Sequence, residues 1–260
     1  MCGICGCSNP TGSGKLTPLA NKVDLLTTHL HHHEQPSHED KTRLIQIEQD
    51  LLNKNNTYAA QNRTYFQRNN IFVLNLVSSP GAGKTTLLVE TIKLLKDRFP
   101  IAVIEGDQQT EHDAERIRAT GVPALQINTG RMCHLEAQSI GHAVKELAIK
   151  PNSFLAIENV GNLVCPSSFD LGEAHKVVLL SVTEGDDKPL KYPDMFHAAD
   201  LMIINKMDLL PYVDFNVAKC EEFARRVNPN IQILLLSTTK KDNFFAWTNW
   251  LAEKIATKES

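Results

Sequence analysis

The fold is decided by residues 71–86, which read IFVLNLVSSPGAGKTT. The apolar run IFVLNLV predicts a buried β-strand, and an amphipathic helix follows from about Lys84. Glycines between them let the backbone turn so that amide N–H groups face phosphates at the positive end of that helix. This context predicts a P-loop, and therefore a protein that binds and hydrolyses a nucleotide.

Two side chains of this loop carry its chemistry. Lys84 is expected to neutralise β- and γ-phosphate oxygens, and Thr85 offers a hydroxyl to Mg²⁺. The first glycine of the usual pattern is replaced by Ser78. The loop residues predicted to bind the nucleotide are Gly81, Ala82, Gly83, Lys84, Thr85 and Thr86.

Apolar runs alternate with helical stretches from Ile71 onward. Because the runs are continuous, their strands are buried on both faces, which predicts a mostly parallel sheet between helices. This is a doubly wound α/β fold, in which ligands bind at the carboxyl ends of the strands. The runs are IFVLNLV, IAVIE, ALQIN, FLAIE, VVLLSV, LMIIN and IQILLL.

Composition divides the chain into three parts. Residues 1–40 are rich in Gly, Ser, Pro and His, which predicts a flexible metal-binding arm. Residues 41–70 form a helical lead-in expected to pack on the main domain, with a helix from Asp40 to about Asn55. Residues 71–260 are expected to form the P-loop domain.

The overall charge and hydropathy exclude several partners. A net charge of −3 and a pI near 6.4 favour neither nucleic acid nor a polybasic membrane patch. No apolar run reaches the roughly 18 residues that a membrane helix needs, and the N-terminus lacks a secretory signal pattern. We therefore expect a cytoplasmic protein with reduced cysteines.

A guanine-specificity motif follows the run LMIIN. Asn205-Lys206-Met207-Asp208 has the N-K-x-D pattern, in which the Asp208 carboxylate accepts hydrogen bonds from guanine N1 and N2. Asn205 is expected to brace the loop, and the Lys206 stem to cover the base. Ser237 is placed to touch the base again. GTP is therefore predicted over ATP.

Acidic residues end two further strands. Asp107 is predicted to hold Mg²⁺ through water or to orient the attacking water. Glu158 to Gly161 resembles the D-x-x-G switch with Glu in place of Asp, so the Gly161 amide is expected to sense the γ-phosphate. No arginine-finger candidate is evident, which predicts slow intrinsic turnover.

Two metal-binding patterns lie in the first forty residues. Cys2, Cys5 and Cys7 place three thiols within reach of one ion, which suits square-planar Ni²⁺, whereas Zn²⁺ requires a tetrahedral fourth ligand. A histidine tract between His29 and His38 fits metal buffering, although a neutral linker is the alternative.

A third pattern lies beside the predicted switch. Cys133 and His134 are predicted to lie at the start of a helical run, and Cys165 follows Gly161 by four residues. Together these three side chains are predicted to bind one ion. A switch pulled by the γ-phosphate would move Cys165, which would couple metal binding to the nucleotide.

The chain resembles the HypB family of nickel-insertion GTPases in hydrogenase maturation. The resemblance covers nearly the whole length. It is carried by MCGICGC, the histidine tract, NLVSSPGAGKTTLL, EGDQQTEHDAERI, CHLEA, ENVGNLVCP and NKMDLL.

The resemblance implies a Mg²⁺-dependent GTPase that delivers Ni²⁺ to the large subunit of [NiFe]-hydrogenase. It implies a small zinc-containing nickel chaperone as partner and a homodimer promoted by GTP. It further implies that Cys2, Cys5 and Cys7 form the tight nickel site. The second implied site, which binds Ni²⁺ or Zn²⁺, consists of Cys133, His134 and Cys165.

Other functions stay open from the residues alone. A urease-type nickel GTPase also combines a P-loop with a histidine-rich arm, but that family carries Cys-Pro-His, which is absent here. A metal-storage protein with a silent nucleotide site would tolerate Lys84→Ala. A P-loop kinase is disfavoured because N-K-x-D favours guanine.

Overall fold

The structure is a computed structural model that describes residues 38–107, 112–130 and 132–257. It divides into a unit Met1–Asp50, described from His38, and a larger unit Leu51–Ser260. The first described helix, α1, spans His38–Arg68 and crosses the boundary between them. All strands of the sheet belong to the larger unit.

Seven strands form one sheet in which every pairing is parallel. The strands are β1 Phe72–Ser78, β2 Ile101–Asp107, β3 Ala124–Asn128, β4 Phe154–Gly161, β5 His175–Ser181, β6 Leu201–Asn205 and β7 Gln232–Leu235. The order is β3-β2-β4-β1-β5-β6-β7. After β1 the chain forms β2 and β3 on one side and then returns to place β4 between β1 and β2. Strands β5, β6 and β7 follow in order on the other side, and the predicted doubly wound α/β fold is confirmed.

Helices cover the sheet on both faces. They are α2 Lys84–Leu95, α3 His112–Arg118, α4 Ala137–Glu146, α5 Lys188–Lys191, α6 Pro193–Ala198, α7 Val217–Val227 and α8 Phe244–Thr257. Two 3₁₀ helices, Cys165–Ser167 and Met207–Tyr212, follow β4 and β6.

The core is split by the sheet because alternate side chains of a strand point to opposite faces. On β1, Leu74 and Leu76 pack with α2 and α8, including the fully buried Trp247. Val73 packs on the other face, with Phe66 of α1 and with α4. A third cluster joins β5 and β6 to α6 and α7. Continuous apolar strands are the sequence signature of this two-sided burial.

Helix α1 is longer than the helix predicted from Asp40 to about Asn55. Within the larger unit its buried stripe is Asn55, Ala59, Asn62 and Phe66, at spacings of three and four residues. Half of that stripe is polar, so an apolar pattern cannot reveal it. Asn62 Nδ2 donates to the carbonyls of Ala137 and Leu171, which satisfies its buried amide.

The carboxyl ends of β1, β2, β4 and β6 meet at one edge of the sheet. Because the strands are parallel, the loops that follow them share this edge. None of the described helices combines the length and the apolar composition that a membrane span requires.

Candidate functional site

The loop between β1 and α2 has the geometry of a phosphate cradle. Gly81 and Gly83 have φ angles of 76° and 106°, values that favour glycine. A Cβ at Gly83 would lie 2.8 Å from Asn205 Nδ2, so a side chain there is also excluded by contact. Asn205 in turn donates to the carbonyl of Ala82 at 3.0 Å, which braces the loop.

Ser78 gives Lys84 a partner. Lys84 Nζ donates to Ser78 Oγ at 2.8 Å, and both residues are buried. Burial lowers the pKa of Lys84, while the nearby Glu158 opposes that shift. The serine that departs from the usual pattern thus binds the ammonium group at the mouth of the loop.

Two buried carboxylates face this loop from neighbouring strands. Glu105 of β2 and Glu158 of β4 are paired in register, and Glu158 Oε1 accepts from Thr85 Oγ1 at 2.7 Å. Burial raises the pKa of Glu158 to about 7. Burial, together with the charge of Glu158, raises the pKa of Glu105 to about 8.

The second oxygen of each carboxylate has no hydrogen-bond partner within the described part of the chain. Buried anionic oxygens without a donor are stabilised by a cation, and oxygen ligands are those that Mg²⁺ prefers. The Thr85 hydroxyl and these carboxylates therefore suit Mg²⁺. The cavity they line has a volume of about 530 Å³. Asp107, at the end of β2, and Gly161, at the end of β4, line the same cavity.

Three charged residues of this cavity were not assigned from the sequence. The predicted role in the site went to Asp107 rather than to Glu105, although both residues lie at the end of β2. Asp113 and Arg116 of α3 line the cavity, and Arg116 Nη2 donates to Thr86 Oγ1 at 3.2 Å. Arg116 was not assigned a role in catalysis from the sequence. Its spacing of three from Asp113, which places both on one helix face, was the available signal.

The N-K-x-D segment forms an ordered loop after β6. Lys206 has a left-handed φ of 60°, and its Nζ donates to the carbonyl of Gly81 at 2.7 Å. Asp208 Oδ1 accepts from Ser237 Oγ at 2.5 Å. Asn205 Oδ1 accepts from the backbone and side chain of Thr238. The loops after β6 and β7 therefore hold each other and the P-loop in one arrangement.

The cluster Cys133, His134 and Cys165 is brought together at the same edge of the sheet. Their ligand atoms lie within 4.8 Å of one another, and the two Sγ atoms are 2.9 Å apart. We call these three residues the metal cluster. Cys133 and His134 lie in the loop before α4 rather than at its start, and Cys165 begins the 3₁₀ helix after β4.

His134 is suited to metal binding. Both ring nitrogens are buried without a hydrogen-bond partner in the described ranges, and the ring lies 3.9 Å from that of Phe169. Burial lowers the pKa of His134, which favours the neutral imidazole that ligates metals. A site of two thiols and one imidazole suits Ni²⁺ or Zn²⁺.

The metal site predicted near the start of the chain is not part of the described structure. Cys2, Cys5 and Cys7 and the histidine tract lie outside the described residues, so their predicted metal binding stays a prediction. Cys220 is buried on α7, and burial raises the pKa of its thiol to about 12.

Comparison with known proteins places this arrangement in a family. Residues 72–235 match the model of the CobW/HypB/UreG nucleotide-binding domain. The chain is 61% identical over 218 residues to the hydrogenase maturation factor HypB of Azotobacter vinelandii, covering 84% of this chain and 72% of that protein. The chain belongs to the HypB family. It therefore contains a nucleotide-binding domain of the type that the family model describes.

Solved structures of HypB proteins share the fold. The HypB structure from Helicobacter pylori in complex with nickel is 45% identical with a TM-score of 0.73, covering 78% of this chain and 96% of that one. HypB from Archaeoglobus fulgidus is 37% identical with the same TM-score, covering 78% and 98%. The resemblance inferred from sequence motifs is confirmed.

Proposed function

We propose that this HypB-family chain is a GTPase that carries Ni²⁺ and couples GTP hydrolysis to nickel insertion into the large subunit of [NiFe]-hydrogenase. One observation carries the proposal. Cys165 of the metal cluster lies four residues beyond the end of β4, the strand that supplies Glu158 and Gly161 to the phosphate cavity. A change at the γ-phosphate therefore has a short covalent path to Cys165.

In the nucleotide site the chain's own residues bind and orient GTP. Lys84 and the loop amides neutralise the phosphates, and Asp208 with Asn205 and Ser237 selects guanine. Thr85, Glu158 and Glu105 are assigned to Mg²⁺, which supplies charge neutralisation at the β- and γ-phosphates when bound.

Asp107 orients the attacking water, and the amide of Gly161 senses the γ-phosphate. The Arg116 guanidinium, held beside Thr86, adds positive charge at the cavity rim. Because that group is exposed and already paired with Asp113, we expect slow intrinsic turnover.

For metal handling we assign two nickel sites. Cys2, Cys5 and Cys7 form the tight site within a metal-binding arm, residues 1–40. The metal cluster forms the second, with Zn²⁺ as the competing ion. Residues 41–70 form the helical lead-in and residues 71–260 the GTPase domain.

The partners follow from the same proposal. We assign a small zinc-containing nickel chaperone, the hydrogenase large subunit, and a second copy of this chain in a homodimer promoted by GTP. The acidic pI near 6.4 supports neither nucleic acid nor an anionic membrane surface as a partner. We place this function in the cytoplasm.

A transfer assay tests the proposal. The nickel-loaded full chain is mixed with the zinc-containing chaperone and nickel-free large subunit, with GTP or with a non-hydrolysable analogue. We expect nickel transfer with GTP and at most slow transfer with the analogue. Equal transfer with both nucleotides would contradict the coupling.

Matched cysteine variants assign the metal sites in that assay. Cys165→Ser should abolish GTP-dependent transfer, whereas Cys220→Ser, a buried cysteine outside the cluster, should preserve it. Replacing Cys2, Cys5 and Cys7 by Ala should remove the tightest Ni²⁺ equivalent in a titration. A titration with no such loss would contradict the assignment of the arm.

A further inference from the structure

We propose that Asn159 is the positioning residue that transmits the nucleotide state to the metal cluster. The inference rests on the proposed function and names the residue that performs its coupling. Asn159 lies on β4 between Glu158 and Gly161, and it is only 1% exposed. Its side chain projects from β4, whose end lies at the phosphate cavity, and it hydrogen-bonds toward the segments that carry the metal ligands.

The first link from Asn159 is direct. Its Oδ1 accepts from the backbone N–H of Leu135 at 3.3 Å and from that of Val160 at 3.0 Å. Leu135 immediately follows His134, and it is 1% exposed. One carboxamide oxygen therefore joins the end of β4 to the segment that holds two of the three metal ligands.

The second link runs through β1. Asn159 Nδ2 donates to Asn75 Oδ1 at 3.3 Å, and Asn75 Nδ2 donates to Glu173 Oε1 at 3.0 Å. Asn75 is fully buried in the centre of the sheet. Glu173 Oε2 accepts from the backbone N–H of Leu171. The carboxamide of Asn159 thus continues into the loop before β5.

Lys176 completes this second link at the turn that carries Cys165. Its Nζ lies 3.7 Å from Glu173 Oε1 and donates to the carbonyls of Pro166 at 3.0 Å and Ser167 at 3.3 Å. Pro166 directly follows Cys165. The network that begins at Asn159 therefore ends on both segments of the metal cluster.

The burial of this network makes it sensitive to small movements. A carboxamide has one acceptor oxygen and one donor nitrogen, so a rotation or shift of β4 cannot keep both links. Away from water the freed N–H of Leu135 has no substitute partner, and the metal segments must follow the strand. This is a physical connection between two sites, rather than proximity alone.

The test measures nickel affinity in two nucleotide states. The full chain carries Ser at Cys2, Cys5 and Cys7, so that Ni²⁺ binding is read from the thiolate-to-nickel charge-transfer absorption of the metal cluster. Titrations are run with GDP and with a non-hydrolysable GTP analogue. For the otherwise native chain we expect the two affinities to differ about fivefold or more, the range of typical coupling between sites.

Asn159→Ser is expected to bring that ratio close to one. The hydroxyl is too short to reach Leu135 and Asn75 together, while the absorption band should persist because all three ligands remain. By reciprocity, the effect of Ni²⁺ on the affinity for the GTP analogue should collapse by the same factor.

Asn62→Ser is the matched control. Asn62 is also a buried asparagine, and it also contacts the metal-cluster side of the molecule, through Ala137 and Leu171, but from helix α1. The Asn62 variant should keep the native ratio. Should Asn159→Ser fail to fold, Asn75→Ser cuts the second link alone and is expected to lower the ratio in part.

Three results would overturn the inference. An unchanged ratio in Asn159→Ser shows that the coupling takes another route. Loss of the absorption band in both nucleotide states shows that Asn159 only supports the fold of the cluster. If the chain with native Asn159 binds nickel equally well in both nucleotide states, the proposed coupling between nucleotide and metal is absent. This outcome is distinct from the first two.

Discussion

The base side and the phosphate side of the site differ in how their polar groups are satisfied. On the base side Asn205 and Asp208 are hydrogen-bonded to Ala82, Thr238 and Ser237. On the phosphate side one oxygen each of Glu105 and Glu158 is buried without a partner among the residues described. The base side is held by the protein alone, whereas the phosphate side requires cations to complete it.

The largest expected effect comes from removing the buried lysine of the P-loop, which supplies positive charge to the phosphates. Lys84→Ala should lower GTP hydrolysis by at least about 100-fold, since a preorganised electrostatic donor commonly contributes that much. Lys96→Ala is the control, because Lys96 caps the other end of α2 and donates to the carbonyl of Thr120. Steady-state phosphate release measures both variants. Near-native turnover in Lys84→Ala would favour the storage alternative.

Changing the base-side carboxylate should alter which nucleotide binds. Asp208→Asn is expected to weaken GTP binding by about 100-fold and to strengthen xanthosine triphosphate, since a charged hydrogen bond is lost and the donor pattern reversed. Competition binding measures both nucleotides. The exposed Asp214→Asn provides a matched acid with no expected effect. Unchanged GTP affinity in Asp208→Asn would refute the base assignment.

Without a cation on the phosphate side, the free energy of unfolding should depend on pH. Folding raises the pKa of Glu105 from 4.5 to about 8, so the folded state holds a proton that the unfolded state has lost. In chelator the free energy of unfolding should therefore fall as pH rises between about 4.5 and 8.

Replacing the Glu105 carboxylate by an amide should remove most of this loss of stability at high pH. Glu105→Gln should make the cation-free protein more stable at pH 8 by about 2 kcal/mol and flatten the pH dependence. Urea unfolding with chelator at pH 5 and pH 8 measures this. Added Mg²⁺ should stabilise the native protein more than the variant. Parallel pH profiles for the two proteins would show that ionisation of Glu105 does not lower the stability of the cation-free protein.

The smallest effect is expected from loosening the base side by one hydrogen bond. Ser237→Ala removes the donor to Asp208 Oδ1 but leaves the carboxylate. GTP affinity should fall by about fivefold, the worth of one ordinary hydrogen bond. Equilibrium titration with a fluorescent GTP analogue measures it. A loss as large as that of Asp208→Asn would mean that Ser237 holds the whole loop.

Sequence patterns predicted the sheet and the loops because both depend on local chemistry. Continuous apolar runs determine buried parallel strands, and glycine and N-K-x-D spacings are read within a few residues. The predicted strands matched, although β2 and β4 extend further, to Asp107 and Gly161.

What the sequence could not supply was contact between distant segments. The length of α1 was missed because its buried stripe includes Asn55 and Asn62, which hydrogen-bond to residues more than seventy positions away. Arg116 and Asp113 were missed for a similar reason, since only the packing of α3 against α2 brings them to the cavity. Polar groups that are positioned by tertiary contact leave no hydrophobic period to read.

The 2.8 Å approach between a Cβ at residue 83 and Asn205 Nδ2 constrains how this chain can change over time. The P-loop and the N-K-x-D loop meet at that point, 122 positions apart in the sequence. A side chain at 83 could be accommodated only by shrinking residue 205, which would release both the Ala82 carbonyl and Thr238. The two motifs therefore cannot change independently in evolution. A homologue that has lost one of them should also differ in the other.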